Sequence, residues 1–278
     1  MACSRTWHLY KESFAVLSQD GEVLAFPVLS GICAMVLAAG FFVPLYRDGT
    51  LLTICRGQGT WDLYAGVFAW YYLNNFIFVF FNTALVGCAI IRLSGGDPTI
   101  GAGLRMALAR TPRIALWVFI STAFGLLMSF FHNRRGWLMR AVGAAATLSW
   151  TMMTYLIVPV LIVEDRSVFS ALGRSKQLFQ RQWGADLIGS FGFGILNSLL
   201  MIPGAILAIA IWRFDEAGAV IVFVTYSLFL TIVSSAVSGV FKAALYRYAA
   251  TGNVPPGFTS DAINPSQAIW LPEIRSLA

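Results

Sequence analysis

The sequence predicts an all-α fold: a polytopic membrane bundle of about six transmembrane helices, with amphipathic interfacial helices between them. Its 278 residues are 58% hydrophobic and only 12% charged, whereas about a quarter of the residues in soluble domains are charged. Six apolar runs are long enough to cross about 30 Å of hydrocarbon, and none contains Asp or Glu. Continuous apolar stretches such as residues 76–81 exclude the alternation of a transmembrane β-barrel.

The first predicted element is an amphipathic interfacial helix over residues 4–19, followed by a span over about residues 24–46. Apolar and aromatic side chains recur along it at helical spacing, at Trp7, Tyr10, Phe14 and Leu17. Acidic residues interrupt the first 22 positions, so this segment does not fit the pattern of a secretory signal. We expect it to lie in the membrane interface and the span to be retained.

The remaining spans are expected at about residues 68–91, 114–131, 141–163, 187–212 and 218–241. The third is the shortest, and the sequence leaves open whether it crosses the membrane fully. Pro159 and Pro203 remove backbone donors within the fourth and fifth spans and predict kinks there. Residues 1–257 would form a single transmembrane domain, and residues 258–278 a cytoplasmic tail beyond the Gly and Pro residues that end the last helix.

Two further amphipathic segments, Thr99–Arg110 and Ser167–Arg181, precede the third and fifth spans. Asp97 and Pro98 predict the start of the first of them, as an N-cap followed by proline at the first helical position. The chain then consists of three units, each an interfacial helix followed by a helical hairpin. The alternative is that any connector in a membrane bundle needs an apolar stripe.

The distribution of Lys and Arg predicts the orientation. An even number of spans places 13 of the 19 basic residues on the side of both termini and six on the other side. Because cytoplasmic loops retain Lys and Arg, both termini are expected in the cytoplasm of a multi-pass protein of the cell inner membrane. The net charge of +6 follows from this orientation and does not indicate a nucleic-acid partner.

No catalytic constellation is apparent in the sequence. The two histidines, His8 and His132, lack metal-ligand spacing, and no P-loop, dinucleotide fingerprint or GxSxG elbow occurs. We therefore expect no cofactor, no metal and no enzymatic activity. A lipid-directed membrane enzyme that uses carboxylates from its loops is the remaining enzymatic alternative.

Polar uncharged side chains within the spans form the first group of candidate site residues: Asn74, Asn75, Asn82, Asn197, Ser234 and Ser238. Such groups usually form hydrogen bonds between helices, but they could also line a polar cavity for a substrate. The four-residue spacing of Ser234 and Ser238 also permits close approach of a neighbouring helix.

Basic side chains of the connectors form the second group: Arg105, Arg110, Arg113, Arg174, Lys176 and Arg181. They could contact anionic lipid headgroups or a partner protein. The adjacent string Glu164-Asp165-Arg166 cannot remain in lipid, and we expect it to cap a helix or pair near the next connector. A solvated turn is the simpler alternative.

Short strings at the expected helix entries and exits carry a resemblance to a known family. They are Trp7, Lys11-Glu12-Ser13, Phe26-Pro27-Val28-Leu29-Ser30-Gly31, Gly95-Gly96-Asp97-Pro98-Thr99, Val158-Pro159-Val160-Leu161 with Glu164-Asp165, Ala171-Leu172 with Arg174-Ser175, Trp183-Gly184, and Ala244-Leu245-Tyr246-Arg247-Tyr248-Ala249 with Gly252 and Val254-Pro255. From about Trp7 to Phe258 the chain resembles an uncharacterised family of prokaryotic six-span integral membrane proteins, a domain of unknown function. The resemblance implies a helical inner-membrane protein and no reaction.

Two functions remain compatible with the sequence. The first is a non-enzymatic scaffold or accessory subunit of a membrane complex, whose partners are the lipid bilayer and other membrane subunits or a second copy. The second is a carrier or lipid-handling protein with a polar intramembrane cavity. The lack of catalytic groups, the small-residue helix faces and the basic connectors favour the first.

Overall fold

The computed structural model describes residues 2–50, 60–132, 136–183 and 192–259. The described residues are 87% helical and contain no strand, which confirms the all-α prediction. The helices of the described residues are α1 (Ala2–Gln19), α2 (Ala25–Arg47), α3 (Trp61–Leu93), α4 (Ile100–Ala109), α5 (Thr111–His132), α6 (Trp137–Thr154), α7 (Ile157–Val163), α8 (Val168–Trp183), α9 (Gly192–Trp212) and α10 (Glu216–Thr251).

Five helical stretches among the described residues are long and apolar enough to cross a membrane: Gly21–Arg47, Trp61–Leu93, Thr111–Ser129, Trp137–Val163 and Glu216–Thr251. They correspond to five of the expected spans. The other expected span, 187–212, begins among residues outside the described ranges. Its described part is the apolar helix α9, Gly192–Trp212.

Two of these helices are longer than the apolar runs that predicted them. α3 has 33 residues and α10 has 36. At 1.5 Å per residue they reach about 50 and 54 Å, well beyond the hydrocarbon thickness of about 30 Å. Arg92 lies in the last turn of α3, and Arg247 lies just before the last turn of α10.

The expected kink at Pro159 is a complete break between α6 and α7. Proline has no N–H to donate to the carbonyl four residues earlier, so the helical ladder stops before it. The backbone N–H of Leu156, in the break, instead donates to Ser175 Oγ of α8 at 3.2 Å. Leu156 and Ser175 are both fully buried. By contrast, α9 continues through Pro203.

Two glycines end α3. Gly95 has a φ of +86°, a conformation that favours glycine, and Gly96 N–H donates to Ile91 O at 3.0 Å. A Cβ on Gly96 would lie 2.9 Å from the Ile91 side chain. The expectation that Asp97 caps the next helix is wrong, because α4 begins only at Ile100 and the Asp97 carboxylate pairs with Arg92.

The chain divides into two compact units. The first comprises Met1–Ala25, Leu85–Ile100 and Gln177–Ala278, and the second comprises Phe26–Ala84 and Gly101–Lys176. In the second unit, α5 packs against α6 through Trp150, whose ring stacks on Trp117 and Phe124 with centroids 5.8 and 4.1 Å away. Trp70 of α3 packs against Phe41 and Phe42 of α2.

In the first unit, α9 and α10 form a hairpin and α1 packs against both. The buried side of α1 carries Leu9, Ser13, Val16 and Leu17, whereas Trp7 and Phe14 are exposed. The predicted stripe is therefore divided: Trp7 and Phe14 are exposed, Tyr10 is half-buried and Leu17 packs on the protein. Its placement in the membrane interface stays a prediction.

The tightest contact of the α9–α10 hairpin is between Gly204 and Tyr226. A Cβ on Gly204 would lie 2.2 Å from the Tyr226 ring. The ring cannot move away without cost, because the Tyr226 hydroxyl donates to Leu200 O at 2.6 Å. We expect Gly204→Ala to destabilise the protein by about 1–3 kcal/mol, as overpacking does.

Thermal unfolding in detergent, followed by loss of the monodisperse chromatographic peak, measures this effect. Gly194→Ala is the matched control, because a Cβ at Gly194 of the same helix has no atom within 4 Å. The control should be neutral or slightly stabilising, since alanine is the better helix former. Equal unfolding temperatures for the two variants would contradict the proposed close packing.

Candidate functional site

Charged side chains of the described residues gather where helices end. In the first unit, Arg92 at the end of α3 forms a two-pronged ion pair with Asp20, which lies just before the 3₁₀ turn Gly21–Leu24. Arg92 also pairs with Asp97 at 2.9 Å. A planar guanidinium binds one carboxylate with two parallel hydrogen bonds, which fixes the two chain segments in one orientation.

Arg247 of α10 binds the same end of α3. Its guanidinium donates to the backbone oxygen of Leu93 and, at 3.0 Å, to Ser94 Oγ. The last carbonyls of a helix have no partner within the helix and carry partial negative charge. Arg247 therefore caps α3 and connects it to α10. We call Asp20, Arg92, Asp97 and Arg247 the Arg92 cluster.

A second cluster lies in the second unit, around the acidic pair that follows α7. Asp165 forms ion pairs with both Arg110 and Arg113, which flank the start of α5. Glu164 pairs with Arg166 at 2.6 Å and with Arg174 of α8 at 3.2 Å. The expectation that Glu164-Asp165-Arg166 pairs near the next connector is confirmed. We call these six residues the connector cluster.

The arginines of the connector cluster favour the ionised form of Asp165. Hydrogen bonds from Arg113 and Arg110, with the attraction of their positive charges, hold the pKa of Asp165 below its ordinary value. The Asp165 side chain is 72% exposed, so water and salt screen this attraction. Glu164 is more enclosed, at 17% exposure, and links the end of α7 to α8.

The structure divides the basic residues predicted to contact lipid or a partner. Arg110, Arg113 and Arg174 are used in ion pairs within the chain. Arg105 and Lys176 are exposed, and no ion pair involves either of them among the described residues. The side chain of Arg181 lies outside the part of the chain that the structure describes in this detail. A headgroup or partner contact at these positions stays a prediction.

The polar residues of the predicted spans fall in both units. In the second unit, Asn75 Nδ2 donates to Tyr71 O of its own helix at 2.8 Å, and Asn74 and Asn82 are half-buried on the same helix. In the first unit, Ser234 Oγ of α10 donates to Asn197 Oδ1 of α9 at 2.8 Å. Ser238 lies one turn further along α10 and is half-buried.

The Asn197–Ser234 hydrogen bond joins two helices, which is one of the two roles that the sequence predicted for these polar side chains. Bonds of this kind contribute about 0.6 kcal/mol each in measured membrane proteins. Whether any of these residues also lines a cavity stays a prediction. Among the described residues, no group of three or more His, Cys, Asp or Glu side chains is arranged to hold a metal ion.

Sequence reasoning missed Asp20, Arg92, Arg247 and Ser175 as structural residues. Asp20 and Arg92 are 72 positions apart, and Arg247 and Leu93 are 154 apart, so no local spacing connects them. One signal for these charged residues was available in the sequence. Each lies near the end of an apolar run, where pairing lowers the free-energy cost of a charge. Ser175 carried no signal, because a lone serine in an amphipathic helix is usually solvated.

These features define the class: an all-helical chain with five described helices long and apolar enough to cross a membrane, joined by connectors whose charges are paired at the helix ends. The chain belongs to DUF6159, a family of unknown function, which matches residues 62–257. This match confirms the resemblance to an uncharacterised family over those residues. No curated protein and no solved structure matches the chain.

We expect Asp165→Asn to lower stability slightly at neutral pH, because it removes both ion pairs to the start of α5. A carboxylate whose pKa is lowered on folding stabilises the protein above its ordinary pKa of about 3.9, and this stabilisation is lost as the pH falls through the folded value. The difference between wild type and variant should therefore shrink below about pH 4.

Unfolding temperatures in detergent at pH 7 and at about pH 3.5 measure this difference. Asp48→Asn, an exposed carboxylate outside both clusters, is the matched control and should show no such pH dependence. High salt should reduce the neutral-pH effect as well, because the pairs are exposed. A constant deficit at both pH values would mean that Asp165 acts through packing and not through its charge.

Proposed function

We propose that the protein is a non-enzymatic, multi-pass protein of the cell inner membrane that serves as a scaffold or accessory subunit of a membrane complex. The membrane part rests on the exposed apolar surface of its helices. The most apolar 18 residues of Gly21–Arg47 have a mean hydropathy of 2.3, and only 6% of these residues are buried. Such a surface is stable only when lipid or protein covers it.

The orientation, with both termini in the cytoplasm, is supported by the position of the ion pairs. All six salt bridges among the described residues join groups that the Lys and Arg distribution assigns to the cytoplasmic side. Three described arginines assigned to the other side, Arg47, Arg140 and Arg213, take part in no such bridge. Connectors that are rich in Lys and Arg are typical of the side that is not translocated.

One observation carries the scaffold proposal: α6 presents small residues on an exposed face. Ala141, Ala145 and Ser149 recur every four residues, and all three are exposed. Exposed Val142 and Leu148 flank this row. Small residues at this spacing let two membrane helices approach closely and gain dispersion contacts that lipid does not provide. We call Ala141, Ala145 and Ser149 the α6 face.

The small-residue face predicted on the last span is used within the chain. Ser234 is bonded to Asn197, and Gly239 is buried in the first unit. This face therefore supports intrachain packing better than association with another subunit. The alternative of a carrier with a polar cavity has less support, because Asn75 and Asn197 both place side-chain atoms in hydrogen bonds within the chain.

We expect Ala145→Leu to dissociate the protein from its membrane partner, because a larger side chain separates the two helices by more than the contact tolerates. Native mass spectrometry after gentle extraction from the membrane measures the mass of the complex. Ala210→Leu makes the same change on an exposed face of α9 and is the matched control. An unchanged complex mass in the Ala145 variant would refute the α6 face as the interface.

The proposed orientation is tested by thiol labelling of intact cells. In a background without the four native cysteines, Asp48→Cys should react with a membrane-impermeant maleimide before lysis. Lys176→Cys should react only after the membrane is permeabilised, because the connectors are proposed to be cytoplasmic. Both positions are exposed, so a failure to react reflects the membrane and not burial. The reverse pattern would invert the proposed topology.

A further inference from the structure

A cavity of about 470 Å³ opens between α9 and α10, close to the turn that joins them. Its wall is apolar and includes Ala205 and Ala208 of α9 with Ala219 and Phe223 of α10. Arg213, in the connecting turn, is the charged residue of the lining. The volume lies within the usual range of ligand sites, about 300–1,000 Å³. We call this cavity the hairpin groove.

The sequence of the hairpin explains the groove. Further along the two helices, the Gly204–Tyr226 contact and the Asn197–Ser234 hydrogen bond hold α9 and α10 close together. Towards the turn, alanines occupy the facing positions and do not fill the space between the backbones. Larger side chains such as Phe223 form the edges of the groove. The result is an apolar groove on the turn side of the Gly204–Tyr226 contact.

The open end of the groove carries unpaired positive charge. Arg213 is exposed and forms no ion pair with another described residue. The nearby Asp215 is used otherwise: its carboxylate accepts the Ala217 N–H at 3.1 Å and caps α10. Trp212 and Phe214, on either side of Arg213, are 53% and 91% exposed. Aromatic residues of this kind are enriched at the level of lipid headgroups.

We propose that the hairpin groove binds one acyl chain of an anionic phospholipid, whose phosphate is held by Arg213. A phospholipid matches both parts of the site, because its chain is apolar and its headgroup is negative. A polar metabolite would leave its hydrogen-bonding groups unpaired against the apolar wall. This inference rests on the proposed placement in the membrane, but not on the scaffold role.

The test reconstitutes the full chain in vesicles of equal parts phosphatidylglycerol and phosphatidylcholine, extracts it gently and counts retained lipids by native mass spectrometry. Wild type should retain one phosphatidylglycerol. Ala208→Phe fills the groove and should abolish retention, whereas Ala210→Phe, on the exposed side of the same helix, should keep it. Arg213→Gln should lower the preference for phosphatidylglycerol about fivefold, and Arg140→Gln should not.

Three results would overturn the proposal. The first is equal lipid retention by Ala208→Phe and Ala210→Phe, provided that both variants unfold at the wild-type temperature. The second is a wild-type dimer that Ala208→Phe converts to monomer, which would make the groove a protein interface. The third is an unchanged lipid preference in Arg213→Gln.

The scaffold proposal and the lipid-binding proposal can be refuted independently of each other. Ala145→Leu should leave lipid retention unchanged, so loss of the scaffold role would not affect the groove. Fractionation of cells provides the remaining distinction: a wild-type chain found outside the membrane fraction would refute the membrane placement itself. A chain found in the membrane that retains no lipid would refute the groove alone.

Discussion

Pairing of charge at the ends of apolar helices is the constraint on which the rest of this structure depends. A charged group is costly in hydrocarbon, so charge is favoured at the ends of apolar helices, where it can be paired or reach water. The Arg92 cluster and the connector cluster meet this requirement with arginines that each reach a carboxylate or a helix C-terminus. The same bonds connect chain segments that are distant in sequence, so they also determine which segments are neighbours.

This constraint also explains which parts of the structure the sequence could predict. Helices and their order follow from apolar run length and amphipathic spacing, which are local properties. The pairing of Glu164 and Asp165 with the connectors was predictable too, because two carboxylates directly after an apolar run need basic neighbours. The Asp20–Arg92 and Arg247–Leu93 contacts were not, since the partners are chosen by packing between segments far apart in the chain.

The features that the sequence left undetermined share a physical cause. The ends of α3 and α10 and the buried face of α1 depend on contacts between segments that are distant in the chain. Hydropathy locates the part of a helix that needs an apolar environment, but helical hydrogen bonding continues beyond it until a glycine such as Gly252, with a φ of +75°, ends the helix. In α1, aliphatic side chains pack on the protein, and the bulkier Trp7 and Phe14 remain exposed.

Some polar side chains form bonds within the chain, and other side chains remain exposed to contact lipid or a partner. Several polar groups of the described residues are bonded within the chain: Ser234 with Asn197, Ser175 with the Leu156 N–H, and Asp165 with two arginines. Other described features remain exposed, among them the small residues of the α6 face, Arg105 and Lys176, and the hairpin groove with Arg213. Shape and positive charge are the properties that select a helix or a lipid. These features of the described residues therefore support the proposed role of holding other molecules in the membrane.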